Sequence, residues 1–98
     1  MSYKDAIAHD ARLIILRETA KQTDGQLNEV SLRRALDVYG ITRSRDWIAT
    51  QLNRLEELEA VTITHTGEIM VAAITRAGRD HLESRSIIVG ITRPSELG

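Results

Sequence analysis

The chain has 98 residues, 42% hydrophobic and 28% charged, with a formal net charge of −1. That composition supports one folded domain with a single modest core and is too apolar for a disordered chain. No cysteine is present, which excludes disulfides, thiolate chemistry and cysteine zinc sites.

No run of 18 apolar residues occurs, so no membrane span is expected. The start MSYKDAIAHDARL has acids and a histidine where a signal peptide needs a basic segment and an apolar run. A cytoplasmic protein is the expectation.

Residues 5 to 22 predict a first helix. Ile7, Ala11, Ile14 and Ile15 make one apolar stripe, and Ala6, Leu13, Leu16 and Ala20 a second on the roughly opposite side. One stripe docks the helix on its own domain. The other must meet a distant part of the chain or a second subunit.

TDGQLNEV, residues 23 to 30, breaks that helix with Asp-Gly turn chemistry. Ser31 is the expected N-cap of a second helix, whose buried face is Leu32, Ala35, Leu36 and Tyr39. Gly40 stands where a left-handed C-terminal residue is wanted. After three intervening residues Ser44 caps a third helix over 44 to 59, with Ile48, Leu52, Leu55 and Leu58 inward. Two short helices joined by such a glycine-containing turn form a helix-turn-helix.

VTITHT and IMVAAIT around Gly67-Glu68 predict a β-hairpin. RAGRDHLES, residues 76 to 84, predicts a short closing helix. The tail that follows carries Ile87, Ile88, Val89 and Ile91, then the single proline. No internal repeat or low-complexity segment divides the chain. A single domain over 1–98 is expected, with its core in 5–84 and residues 85–98 as a C-terminal tail.

The order helix, helix-turn-helix, hairpin, helix is that of a winged-helix domain, an α+β fold that is mainly α. Ile48 to Val61 (IATQLNRLEELEAV) resembles the recognition helix and first wing strand of bacterial ArsR- and MarR-type regulators. Ile74 to Leu82 (ITRAGRDHL) resembles their "threonine, two residues, glycine" exit from the wing. The whole chain is also similar to small winged-helix proteins of Mu-like prophages, which end in a glycine-containing segment and Arg-Pro, here Gly90 to Pro94. The resemblance implies DNA binding in a phage or prophage setting. ArsR-type metal sensing is not implied, because the cysteines or clustered histidines it needs are absent.

Residues 31 to 55 carry Arg33, Arg34, Arg43, Arg45 and Arg54 against Asp37 and Asp46. If the third helix enters a major groove, Arg45 suits guanine and Asn53 adenine. Arg43, Ser44, Thr50 and Arg54 suit phosphates. Asp46 is out of place against phosphate and is expected to favour the helix N-terminus or pair with Arg43 or Arg45. The hairpin tip, His65 to Glu68, lacks the lysine or arginine usual in minor-groove wings.

His9, His65 and His81 have no ligand spacing, so no metal is expected. Without a glycine-rich phosphate loop or a catalytic constellation, neither a cofactor nor an enzyme is expected. The expected function is sequence-specific binding of double-stranded DNA, as a transcriptional regulator. The expected assembly is a homodimer through helix 5–22 and tail 86–91. The alternative is a protein-interaction module, such as an accessory protein of phage assembly or DNA packaging. A continuous positive face favours DNA, whereas arginines tied up by acids favour a protein partner.

Overall fold

The computed structural model describes residues 1–97. The elements run α1 (Tyr3–Lys21), β1 (Gln26–Asn28), α2 (Glu29–Val38), α3 (Arg45–Glu57), β2 (Val61–Thr66), β3 (Ile69–Ile74), α4 (Arg76–Leu82) and α5 (Pro94–Leu97). This is an α+β architecture, roughly half helical, with one antiparallel sheet in the order β1-β3-β2.

Helix α1 begins two residues earlier than its apolar pattern predicts. Ser2 accepts from the Asp5 amide at 3.1 Å, and the Asp5 carboxylate accepts from the Ser2 amide at 3.3 Å. This reciprocal pair satisfies two free amides of the first turn. Leu13 and Leu16 from one stripe, and Ala11, Ile14 and Ile15 from the other, are all buried. Both stripes are covered because α1 runs through the middle of the domain, touching α2, α3, α4, β1 and β3.

The segment expected to be a plain turn holds a third strand. Gln26, Leu27 and Asn28 pair with Ala73, Ala72 and Val71 of β3. The N-cap of α2 is therefore Asn28, whose side chain accepts from the Ser31 amide at 2.9 Å. Ser31 lies inside the helix, contrary to its expected capping role. Strand β1 is too short for alternation to reveal it, and its hydrogen bonds come from residues about 45 positions away.

Helices α2 and α3 close in the same way. At the end of α2, the Ile41 amide donates to the Leu36 carbonyl and Gly40 has φ +81°. At the end of α3, the Ala60 amide donates to the Leu55 carbonyl while Glu59 takes φ +63°. Helix α3 thus stops at Glu57, two residues short of the expected boundary, and Glu59 holds a conformation that normally favours glycine.

Strands β2 and β3 form the expected hairpin, with Thr66 opposite Ile69 across Gly67-Glu68. Thr75 then caps α4, which ends at Leu82, two residues before the expected limit. Its hydroxyl accepts from the Gly78 amide at 3.1 Å and donates to the Glu59 carbonyl at 2.7 Å. A Cβ on Gly78 would run into the Ala60 carbonyl. The threonine-to-glycine spacing is therefore a joint between α4 and the end of α3.

The tail packs on its own domain. Ile91 is buried, and the Thr92 amide and hydroxyl donate to the His9 carbonyl (3.2 Å) and Asp10 carboxylate (2.6 Å). Arg12 and Arg17 donate to the Gly90 and Pro94 carbonyls. Fully buried His81 accepts from the Ile88 amide at Nδ1, which leaves Nε2–H to donate to the Thr92 carbonyl at 2.9 Å. Among the described residues, no helix is long and apolar enough to cross a membrane.

Candidate nucleic-acid interface

Ser44 caps α3 as expected, accepting from the Trp47 amide at 3.1 Å. Ile48, Gln51, Leu52 and Leu55 are the buried side of the helix. Gln51 is inward because its side-chain oxygen accepts from Arg12 of α1 at 2.9 Å. Asp46, Thr50, Asn53 and Glu57 follow one another at spacings of four, three and four, and all are exposed. They form the outward face, opposite the core.

Two clefts flank this face. On the hairpin side, a cleft of about 150 Å³ is lined by Glu29, Val30, Arg33, Arg45, Ile48 and Ile69. On the α1 side, one of about 310 Å³ is lined by Lys4, Ile7, Arg43 and Trp47. Each cleft holds two cations. Lys4, Arg33, Arg34 and Arg43 are in no ion pair among the described residues.

Arg45 is placed differently from the base-reading role expected of it. Its guanidinium lies 2.9 Å from the Glu29 carboxylate and donates to the Glu68 carbonyl at 2.6 Å. It therefore ties α3 to α2 and to the hairpin tip. The hydrogen bond that Arg45 donates to Glu29, then the charge of that carboxylate, raise the Arg45 pKa above the ordinary arginine value. Glu29 is buried and also accepts from the Met70 amide at 3.2 Å. Sequence reasoning missed this acid because it is 16 residues from Arg45, with no local spacing to reveal the pair.

Arg54 pairs with Glu57 at 3.0 Å, one helical turn away. Arg43 lies over the Trp47 ring, 5.6 Å from its centroid, and donates to the Thr42 carbonyl. This stacking holds the arginine against the surface while leaving its charge available. Thr50 donates its hydroxyl to the Asp46 carbonyl at 3.0 Å. Asp46 itself pairs with neither Arg43 nor Arg45 among the described residues.

The six candidates thus divide. Arg43, Ser44, Thr50, Asn53 and Arg54 surround the outward face of α3, and Arg45 sits at its edge in a structural contact. Lys4 and Arg33 join them from α1 and α2. Among the described residues, no three histidine or acidic side chains are grouped to hold a metal.

No protein-family model matches the chain, and no solved structure matches it. It is 34% identical to the uncharacterized protein gp26 of Escherichia phage Mu over 90 residues, 92% of this chain and 93% of that one. It is 39% identical to an uncharacterized protein of Haemophilus influenzae over 77 residues, 78% of this chain and 74% of that one. Neither name states an activity.

Proposed function

We propose that this chain, which belongs to the family of gp26 of Escherichia phage Mu, is a winged-helix protein that binds double-stranded DNA. The element order and the β1-β3-β2 sheet support the winged-helix reading. Helix α3 would enter the major groove by its N-terminal turn, with the β2-β3 hairpin as the wing.

The observation that carries the reading is the pair of cation-bearing clefts on either side of the outward face of α3. A helix lying in a major groove has a phosphate strand on each flank. Lys4 and Arg43 suit one strand; Arg33, with the exposed part of Arg45, suits the other. Asn53 then projects toward base edges and Thr50 lies beside it. A phage or bacterial transcription regulator in the cytoplasm is the simplest role for such an object.

Dimerisation fits this role, because two copies would set recognition helices about one DNA turn, roughly 34 Å, apart. The α1 stripes are already covered. Of the predicted dimer surface, the exposed Ile87 and Val89 of the tail are the apolar side chains left for it.

The test is fluorescence anisotropy of a labelled random duplex across a salt series. Binding with a negative log–log slope is expected, and Arg33→Ala/Arg43→Ala should shallow that slope by about 1.8, two phosphates' worth. No binding at low salt by folded protein rejects the reading.

A second reading, a winged-helix protein-interaction module of phage assembly or DNA packaging, draws on the Arg54–Glu57 pair and on Arg45 being bound to Glu29. These contacts spend cationic charge that a strong DNA surface would leave free.

A further inference from the structure

The outward face of α3 has acids where phosphate recognition would want none. Asp46 and Glu57 stand at its two ends, with Thr50 and Asn53 between. Glu57 is neutralised by Arg54. Asp46 has no such partner among the described residues, although cations lie on both flanks of its turn: Arg43 stacks on Trp47 and Arg45 binds Glu29. An exposed, unpaired carboxylate at the leading turn of a DNA-contacting helix weakens binding to every sequence alike. That cost is offset only where a base presents a donor to it.

Resting on the DNA-binding reading above, we propose that Asp46 is a specificity-determining residue that accepts a hydrogen bond from the N4 amino group of cytosine in the major groove. Among major-groove edges, cytosine N4 and adenine N6 are the amino donors. Adenine sets its N7 acceptor beside N6, which repels a second carboxylate oxygen, so cytosine is the better match. Arg45, held to Glu29 and the Glu68 carbonyl, fixes the turn that aims Asp46 and is a positioning residue.

The spacing defines a short pattern. Asp46 and Asn53 are seven residues apart on one face, about 10.5 Å along the helix. That span covers about three base-pair steps of about 3.4 Å each. Asn53 suits the N6 and N7 atoms of adenine. The recognised core would hold a cytosine and an adenine about three steps apart when the helix runs along the groove.

Selection from a random duplex library with wild type, Asp46→Asn and Asp46→Ala tests this, followed by anisotropy at fixed salt on the enriched duplex and its single-base variants. Wild type should enrich a cytosine whose replacement weakens binding about tenfold. Asp46→Asn should move the preference at that position to adenine. Asp46→Ala should lose it and bind random duplex more tightly than wild type. If Asp46 serves only the helix dipole, the variants change the melting temperature but enrich the wild-type site with unchanged discrimination. That result overturns the proposal and leaves DNA binding intact. Failure of folded wild type to bind any duplex at low salt sinks both together.

Discussion

Arg45 reaches from the first turn of α3 to the Glu29 carboxylate, 2.9 Å away, and Glu29 keeps only 4% of its side chain exposed. The contact joins the start of α2 to the start of α3. The same guanidinium holds the hairpin tip through the Glu68 carbonyl. A residue at the edge of the outward face of α3 thus sets the geometry of three elements.

Arg45→Ala leaves the Glu29 carboxylate buried with the Met70 amide as its remaining donor. The arginine is half-exposed, so the loss of stability should be measurable but fall below that of breaking a fully buried pair. Urea denaturation measures it. Glu29→Gln in the same background should recover part of the loss, because no buried charge then lacks its partner. Equal stability of the single and double variants would show that the charge on Glu29 is not the source of the cost.

Gly78 and Glu59 make opposite predictions at one joint. Gly78→Ala forces a methyl group into the Ala60 carbonyl, a backbone atom that cannot swing aside, and should cost about 2–3 kcal/mol. Glu59→Gly removes a side chain from a residue at φ +63° and should stabilise by about 0.5–1 kcal/mol. Thermal melts of the two variants should shift in opposite directions.

His81 anchors the tail from inside. Replacing it with alanine opens a cavity and strips hydrogen-bond partners from the Ile88 amide and the Thr92 carbonyl. A loss of about 2–4 kcal/mol is expected. Amide exchange should quicken at Ile88 and Ile91 more than at Leu52 or Leu55. Uniform acceleration across all four would instead mean that the tail and the core open as one unit.

Glu57→Gln frees Arg54 and removes one negative charge from the outward face. The pair is exposed, so stability should change by less than about 0.5 kcal/mol. Duplex affinity should rise, and the salt slope should steepen by about 0.9 if Arg54 then meets a phosphate. An unchanged slope would place Arg54 off the DNA.

Helix α3 shows how far local chemistry carries. Ser44 before a run of leucines at helical spacing specifies both the start of the element and its buried side, because capping and amphipathicity act within a few residues. The hairpin and the Thr75-to-Gly78 exit are legible for the same reason. Strand β1 is different: Leu27 and its neighbours become a strand because β3 lies beside them. The apparent second docking face of α1 was ambiguous in the same way. Only the folded chain decides that α4 and the tail cover it, through contacts such as Thr92 with Asp10, 82 residues apart.

The candidate interface divides along that line. The residue types and their turn-by-turn placement on α3 are properties of the sequence, since a helix maps spacing onto faces. Which arginines remain unpaired depends on acids brought from elsewhere or one turn away. Glu29 captures Arg45 across the α2–α3 turn, while Arg43 stacks on Trp47 and is in no ion pair among the described residues. Sequence by itself determined the helices, the hairpin and the face that α3 presents, because short-range periodicity and capping govern them. The tertiary structure alone decided the third strand, the docking of the tail and the charges left to meet a partner, because each depends on groups distant in the chain meeting in space.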